Sequence, residues 1–302
     1  MSEPEISSEN PAPAPADLGL SAKINVQIET INFCNRRCQY CFYGHWDAFP
    51  SRIMAMDAYT HILDQVLALP VKINLITHSS YAEPTIDPHF IERLEQIKAR
   101  RLRYWNITNG TNLTPAILDY LFDNLPLFSS YFLIDVPTVE PDMYRRMTGG
   151  SSGQAEKLRD NLHRLGSHIK PKNLTAILMV LGQQDADHRA RHAELATEFA
   201  HYGYQVTLFP LSDRGGELRP FIDNKIELSC VKGCIDKRLD GNLHFGVGGN
   251  MYVCCHDFMQ RFSYGNVART PLEELLRSPG RQRMIDATLA QMCRRCLSAI
   301  KC

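Results

Sequence analysis

Three cysteines in a C-x3-C-x2-C spacing, Cys34, Cys38 and Cys41, follow directly on a stretch in which Ile24, Val26 and Ile28 alternate with other residues. That alternation predicts a half-buried strand over residues 23–30, so the thiols share one tight loop at a strand's end. Three thiolates so placed can hold three corners of a metal–sulfur cube, whereas a [4Fe–4S] cluster takes four. One iron is then open to a small ligand, and an open position separates a catalytic metal site from a closed structural one. The same loop also permits zinc, held by Cys34, Cys38, Cys41 and His45.

Beyond the loop, strand and helix patterns alternate. Tyr59, Ile62, Leu63, Val66 and Leu67 fall at helical spacing within residues 56–69, and Pro70 ends the run. A strand is expected at 71–77, a helix at 88–101, a strand at 102–108 and a helix at 114–125, with Thr114 capping and Pro115 at the first helical position. Further strands are expected at 130–136, 174–181 and 205–209, with helices near 154–165 and 187–202. Six strands alternating with helices imply a parallel sheet covered on both faces. A partial (β/α)6 barrel and a flat doubly wound sheet both fit, and in either the ligands sit beyond the carboxyl ends of the strands.

The cysteine spacing, with Tyr40 just before the last cysteine, resembles the radical SAM superfamily. The resemblance implies the α/β fold of a partial (β/α)6 TIM-like barrel, whose open iron binds S-adenosylmethionine and cleaves it reductively to a 5′-deoxyadenosyl radical. It also implies roles at the strand ends. Glu83, in Ser79-Ser-Tyr-Ala-Glu-Pro84 where the family often has Gly-Gly-Glu-Pro, would take the cofactor ammonium. Asn109, in Thr108-Asn-Gly110, and Asp135, at an acidic position after the fourth strand, would lie on the cofactor side. Tyr40 would lie against the adenine or the cluster. The bland readings are a solvated Glu83, a simple turn at Asn109 and a cap at Asp135. Arg36 and Arg37 are expected to be solvated, and Trp46, His78 and Arg214 are candidates to face a substrate.

After Phe209 the alternation stops, and a domain boundary is expected near Asp213. The last third carries Cys230, Cys234, Cys254, Cys255, Cys293, Cys296 and Cys302. Residues 242–253 read as a β-hairpin with a Gly-Asn turn, with a C-x-x-C pair, Cys293 and Cys296, further on. The arrangement resembles the Twitch domain, a single-cluster relative of the SPASM domain, a small α+β unit. Cys234, Cys254, Cys293 and Cys296 would hold an auxiliary [4Fe–4S] cluster; Cys230 could replace Cys234, and Cys255 could replace Cys254. A closed zinc knuckle is the structural alternative. Cys302 follows at the spacing used toward a second cluster, but the other ligands for one are missing.

With 33 basic and 33 acidic residues the formal charge is zero, which gives no reason to expect nucleic acid or an anionic membrane as partner. The longest apolar runs are too short to span a bilayer. Residues 1–22 lack the pattern of a signal peptide and read as a disordered tail, leaving a barrel at 23–213 and the auxiliary unit at 214–302. Ten cysteines without an export signal suggest metal ligation in a reducing cytoplasm, not disulfides. The expected function is hydrogen abstraction from a small molecule, such as a sugar, aminocyclitol or other natural product, ending in net oxidation or rearrangement. The resemblance implies an electron donor such as flavodoxin or ferredoxin. Peptide modification with a separate leader-recognition partner is the alternative, since about twenty residues before the first strand are too few for a folded module.

Overall fold

The computed structural model describes residues 15–45, 50–78, 81–127, 132–211, 213–218 and 226–302. In chain order it runs β1 (Lys23–Ile28), α1 (Met56–Leu67), β2 (Lys72–Thr77), α2 (Phe90–Ala99), β3 (Tyr104–Trp105), β4 (Ile107–Thr108), α3 (Pro115–Asp123) and β5 (Phe132–Asp135). There follow α4 (Pro141–Thr148), α5 (Ser152–Ile169), β6 (Ala176–Gly182), α6 (Ala186–Glu198) and β7 (Gln205–Pro210). The last third contains β8 (Val231–Cys234), β9 (Asn242–Phe245), β10 (Asn250–Tyr252), β11 (Ser263–Asn266), α7 (Leu272–Arg277), α8 (Pro279–Gln291) and β12 (Ala299–Lys301).

The βα alternation is present, and α3 starts as expected, with the Thr114 hydroxyl accepting from Ile117 N–H at 3.3 Å. One expected strand is two. At Asn106 the chain leaves the β1–β2–β3 sheet and begins the β4–β5–β6–β7 sheet. Asn106 is buried, its carbonyl accepts from Leu133 N–H and its side-chain oxygen accepts from the Tyr104 hydroxyl. All pairings from β1 through β7 are parallel, so the ends of β1, β2, β4 and β5 share one carboxyl edge. The architecture is mixed α/β with parallel sheets arranged as an open arc.

The boundary near Asp213 marks where the alternation ends, not where the core ends. β9 pairs in parallel with β1, matching Val26 to Leu243 and Ile28 to Phe245, and β10 and β11 extend the same sheet antiparallel. Leu243, Phe245, Met251 and Leu272 share one apolar core with Val26, Ile28 and Ile76. Each such side chain contributes about 1.5–3 kcal/mol by leaving water. The hairpin is therefore clamped to the strand that launches the cysteine loop.

The expected tail also needs correction. Pro15–Leu18 forms a 3-10 turn, Leu18 and Leu20 are buried, and the Arg281 guanidinium donates to the carbonyls of Leu18 and Gly19. Two leucines in a polar stretch suffice to seat that segment on α8. Among the described residues no helix is long and apolar enough to cross a membrane.

Candidate metal centres

The cysteine loop leaves β1 and turns tightly. Cys41 N–H donates to the Cys38 carbonyl and Gly44 N–H to that of Cys41, each at 3.0 Å. A Cβ on Gly44 would lie 2.2 Å from the Cys38 oxygen, so only glycine fits this turn. Arg37 and Gln39 donate backbone hydrogen bonds to the end of α4, at Thr148 and Met147. Burial pushes the Cys34 thiol up to about 12, with the Glu83 carboxylate adding to it. Burial, then Asp135, pushes the Cys38 thiol well up. Cys41 is raised by burial and eased by backbone N–H groups and Arg214. Cys34 feels the charge of Cys41, and Cys38 feels both other thiols. Three thiols on one loop, Cys38 buried and Cys34 and Cys41 half-buried, protonated until a cation displaces their protons, suit a metal–sulfur group.

Two carboxylates at neighbouring strand ends frame this loop. Glu83, after β2, accepts at Oε1 from Thr85 N–H (3.1 Å), the Thr85 hydroxyl (2.5 Å) and the Thr108 hydroxyl (2.7 Å). Its Oε2 accepts from Asn109 N–H at 2.6 Å. Glu83 is thus buried and already ties β2 to β4; Oε1 is fully occupied by three donors, and Oε2, with one, keeps capacity for a ligand. Asn109 turns its amide to Asn35 Oδ1 at 2.8 Å and toward the Cys34 sulfur at 3.7 Å. The Tyr40 hydroxyl donates to Asp135 Oδ2 at 3.0 Å. Asp135 Oδ1 is buried with no hydrogen-bond partner among the described residues, and burial raises this carboxyl despite Arg36.

Arg36 corrects its expected solvation. It is buried and donates from Nε to the Tyr144 hydroxyl (2.8 Å), from Nη1 to the Asp135 carbonyl (3.1 Å) and from Nη2 to the Asn109 carbonyl (2.6 Å). Strand-end carbonyls inside the arc need donors, and a rigid guanidinium fork supplies three. Arg37 is exposed, over the Tyr43 ring. His78 does not face a substrate: it is buried, bonded through Nε2 to the Tyr59 hydroxyl at 2.8 Å and packed on Tyr104. Trp46 lies outside the described residues.

The second set gathers around Arg238. β12 pairs antiparallel with β8, setting Ala299 opposite Cys234, and Cys296 N–H donates to the Cys293 carbonyl at 3.1 Å. The Cys293 thiol is pushed up to about 12 by burial, then by Cys296 and Cys234, and Arg238 opposes the rise. Cys296 is raised chiefly by burial. In the buried Cys254–Cys255 pair, Cys254 is held up and Cys255 down by the hydrogen bond between them, with Arg238 favouring both thiolates. The thiols of Cys234, Cys254, Cys255, Cys293 and Cys296 therefore share one cation. Cys255 remains an alternative to Cys254.

Cys230 does not replace Cys234. It is disulfide-bonded to Cys302, with 5.6 Å between their Cα atoms, because the β8–β12 ladder brings the end of the chain beside it. The expectation of no disulfide is corrected on the same ground. Among the described residues, no three His, Cys, Asp or Glu side chains are drawn together closely enough for a single metal ion. Both sets are grouped without reaching single-ion bonding distance.

A cavity of about 350 Å³ has a lining that includes Glu29, Phe42, Tyr43, Tyr81, Phe258 and Gln260. Phe42 and Tyr43 follow Cys41 directly, and Phe258 stands three residues after Cys255. Phe42 and Phe258 stack with centroids 4.3 Å apart. Glu29 accepts from the Tyr252 hydroxyl (2.9 Å) and from Gln260 Nε2 (3.1 Å). The Tyr81 hydroxyl is buried without a hydrogen-bond partner among the described residues, within the field of Cys255 and Arg214. Arg214, in left-handed backbone (φ 49), reaches His256 Nε2 at 3.3 Å and its charge acts on both Cys41 and Cys255. Glu29, Tyr81, Arg238 and His256 were not singled out from sequence. A signal existed for Glu29, since a carboxylate directly follows the alternating strand.

Residues 28–196 match the Radical SAM superfamily, and residues 234–297 match SPASM, an iron–sulfur cluster-binding domain. A curated relative, the tungsten-containing aldehyde ferredoxin oxidoreductase cofactor-modifying protein of Pyrococcus furiosus, is 30% identical over 144 residues, covering 47% of this chain and 40% of that protein. Streptococcus suis SuiB bound to precursor peptide SuiA superposes with a TM-score of 0.63 at 11% identity, over 91% of this chain and 71% of that one. For anSMEcpe with bound AdoMet the values are 0.60 and 14%, over 92% and 85%. For BtrN in complex with AdoMet and 2-DOIA they are 0.53 and 18%, over 93% of each chain. At these identities the structures show a shared fold.

Proposed function

The chain belongs to the radical SAM superfamily, and on that premise we propose that it abstracts a hydrogen atom from a small molecule and completes a net oxidation. Bound at Cys34, Cys38 and Cys41, a [4Fe–4S] cluster with S-adenosylmethionine supplies one-electron cleavage of the sulfonium and hence a carbon-centred hydrogen abstractor. Asn109 and Arg36 fix the Cys34 side of the loop, while Glu83, Tyr40 and Asp135 offer the acceptors on the cofactor side. Cys234, Cys254, Cys293 and Cys296 hold a single auxiliary cluster. Arg36 and Arg238 each sit among thiols and offset their charge when they ionise.

The observation that carries the reading is the cavity. Its volume of about 350 Å³ lies in the range of about 300–1,000 Å³ usual for small-molecule sites, and its lining includes Phe42 and Tyr43, which follow Cys41 directly, and Phe258, three residues after Cys255. A molecule held there has Glu29, Gln260 and Tyr81 as polar contacts and Phe42 and Phe258 as an apolar wall. Loss of a hydrogen atom, then of one electron and one proton, is a two-electron oxidation. The surrounding charges differ: at the first set Glu83 and Asp135 oppose negative charge while Arg36 offsets part of it, and at the second Arg238 favours it. A low-potential donor such as flavodoxin or ferredoxin would supply the initiating electron.

A second reading, modification of a ribosomal peptide with a separate leader-recognition partner, draws on the fold shared with peptide-bound SuiB. Deuterium transfer separates the two. With dithionite and S-adenosylmethionine, deuterated amino sugars and aminocyclitols are expected to pass label into 5′-deoxyadenosine. Label passing only from a deuterated precursor peptide encoded beside the gene would replace the first reading with the second.

A further inference from the structure

His256 stands between two guanidiniums and a sulfur. Arg238 Nη1 lies 2.7 Å from its Nε2, and Arg214 Nη1 lies 3.3 Å from the same atom. A guanidinium only donates, so Nε2 must present a lone pair. An imidazolium has none to present, so the ring is neutral and its hydrogen sits on Nδ1. That atom lies 3.7 Å from the Cys296 sulfur. Arg238 Nη1 is also 3.3 Å from Nδ1; an atom that close to both ring nitrogens lies over the ring face, so Arg214 is the donor to the Nε2 lone pair and Arg238 is a cation stacked on the ring. The ring cannot easily turn away: His256 is buried, and its backbone N–H donates toward the Cys254 sulfur at 3.5 Å. Arg238 is fixed in turn by Asp236 at 2.8 Å.

We propose that His256 is a positioning residue, held by Arg214 as its Nδ1–H tautomer, which hydrogen-bonds the Cys296 sulfur and, with the Arg238 cation beside it, raises the reduction potential of the group bound there. This rests on the reading of Cys296 as an auxiliary-cluster ligand. Reduction adds one electron to that group and makes or breaks no bond in the protein. The added charge is stabilised by an N–H aimed at a ligand sulfur and by a nearby cation, and both move a cluster's potential upward. Asn109 offers a comparable amide to Cys34 in the first set, but there the Arg36 cation is opposed by the carboxylates of Glu83 and Asp135. His256 and Arg238 would thus make the second centre the easier of the two to reduce.

The test is a redox titration of the anaerobically reconstituted full chain, followed by paramagnetic resonance. His256→Phe should shift the auxiliary midpoint negative by about tenfold in its reduction equilibrium, about 59 mV for one electron, with iron and sulfide content unchanged. Arg238→Met should shift it the same way. His256→Asn, which keeps an N–H near the Nδ1 position, should stay closer to the parent than His256→Phe does. A parent-like midpoint in iron-replete His256→Phe overturns the proposal. If that variant does not hold its iron, a parent-like midpoint in Arg238→Met overturns it instead. Cys296→Ala retaining full auxiliary iron would sink the ligand assignment itself, a failure read from metal content and not from potential.

Discussion

The two cysteine sets solve the same coordination problem with opposite means. The first lies on one loop, Cys34 to Cys41, set by a single strand end and a glycine turn. The second draws Cys234, Cys254, Cys293 and Cys296 from a strand, the end of a hairpin and a turn after α8, joined by the β8–β12 ladder. Their surroundings differ as well. Carboxylates Glu83 and Asp135 oppose thiolate charge at the first set and Arg36 offsets them in part, whereas Arg238 favours it at the second. A centre that resists negative charge gives electrons up, and one that welcomes it accepts them.

The largest effect should come from removing the local set. A Cys34→Ala, Cys38→Ala, Cys41→Ala variant should form no 5′-deoxyadenosine with dithionite and S-adenosylmethionine while retaining auxiliary iron; continued cofactor cleavage would erase the distinction between the sets. A Cys293→Ala, Cys296→Ala variant should still cleave the cofactor yet fail to complete the oxidised product. Product formation at the parent rate would show that the second set accepts no electron.

A smaller effect sharpens the contrast at the level of stability. Arg36→Met strips donors from the Tyr144 hydroxyl and two strand-end carbonyls beside Asp135. It should cost about 3–5 kcal/mol, the range for breaking a buried pair, in urea unfolding of the metal-free protein. Arg37→Met, one residue along and exposed, should change the midpoint little. Equal effects would mean that Arg36 is not the clamp of the first site.

The smallest effect is a pH slope from the sheet strand next to β1. His244 is buried, and burial with Arg238 nearby pulls it down to about 3 from its ordinary 6.5. Between those values the unfolded chain binds a proton that the folded chain refuses. Stability should therefore fall as pH drops below 6.5, by up to about 1.4 kcal/mol per unit from this residue, until pH nears 3. His244→Leu should flatten the urea midpoint against pH between 6 and 4; an unchanged slope would place the titration elsewhere.

What could be read in the chain follows the same division. Local chemistry was legible: the alternation before Cys34, Thr114 with Pro115, and the Gly249-Asn250 turn each act over a few residues. Asp135 and Asn109 could be placed because strand ends share an edge in any parallel sheet. What failed depended on distant partners. Arg36 looks like a surface arginine until β4 and β5 present their carbonyls to it, and His78 looks like a residue facing the substrate until Tyr59 and Tyr104 enclose it. Pairing of β9 with β1, which makes one core of two expected domains, joins segments more than 200 residues apart, as the match of Val26 to Leu243 shows. Cys230 met Cys302 for the same reason, through a ladder that no local pattern announces.

A potentiometric titration of the oxygen-free protein, read by paramagnetic resonance with and without S-adenosylmethionine, tests the central contrast most directly. Two signals are expected; the one reduced at the more negative potential should change when the cofactor is added, and the other should not. A single signal, or a cofactor response from the centre that is easier to reduce, would contradict the account.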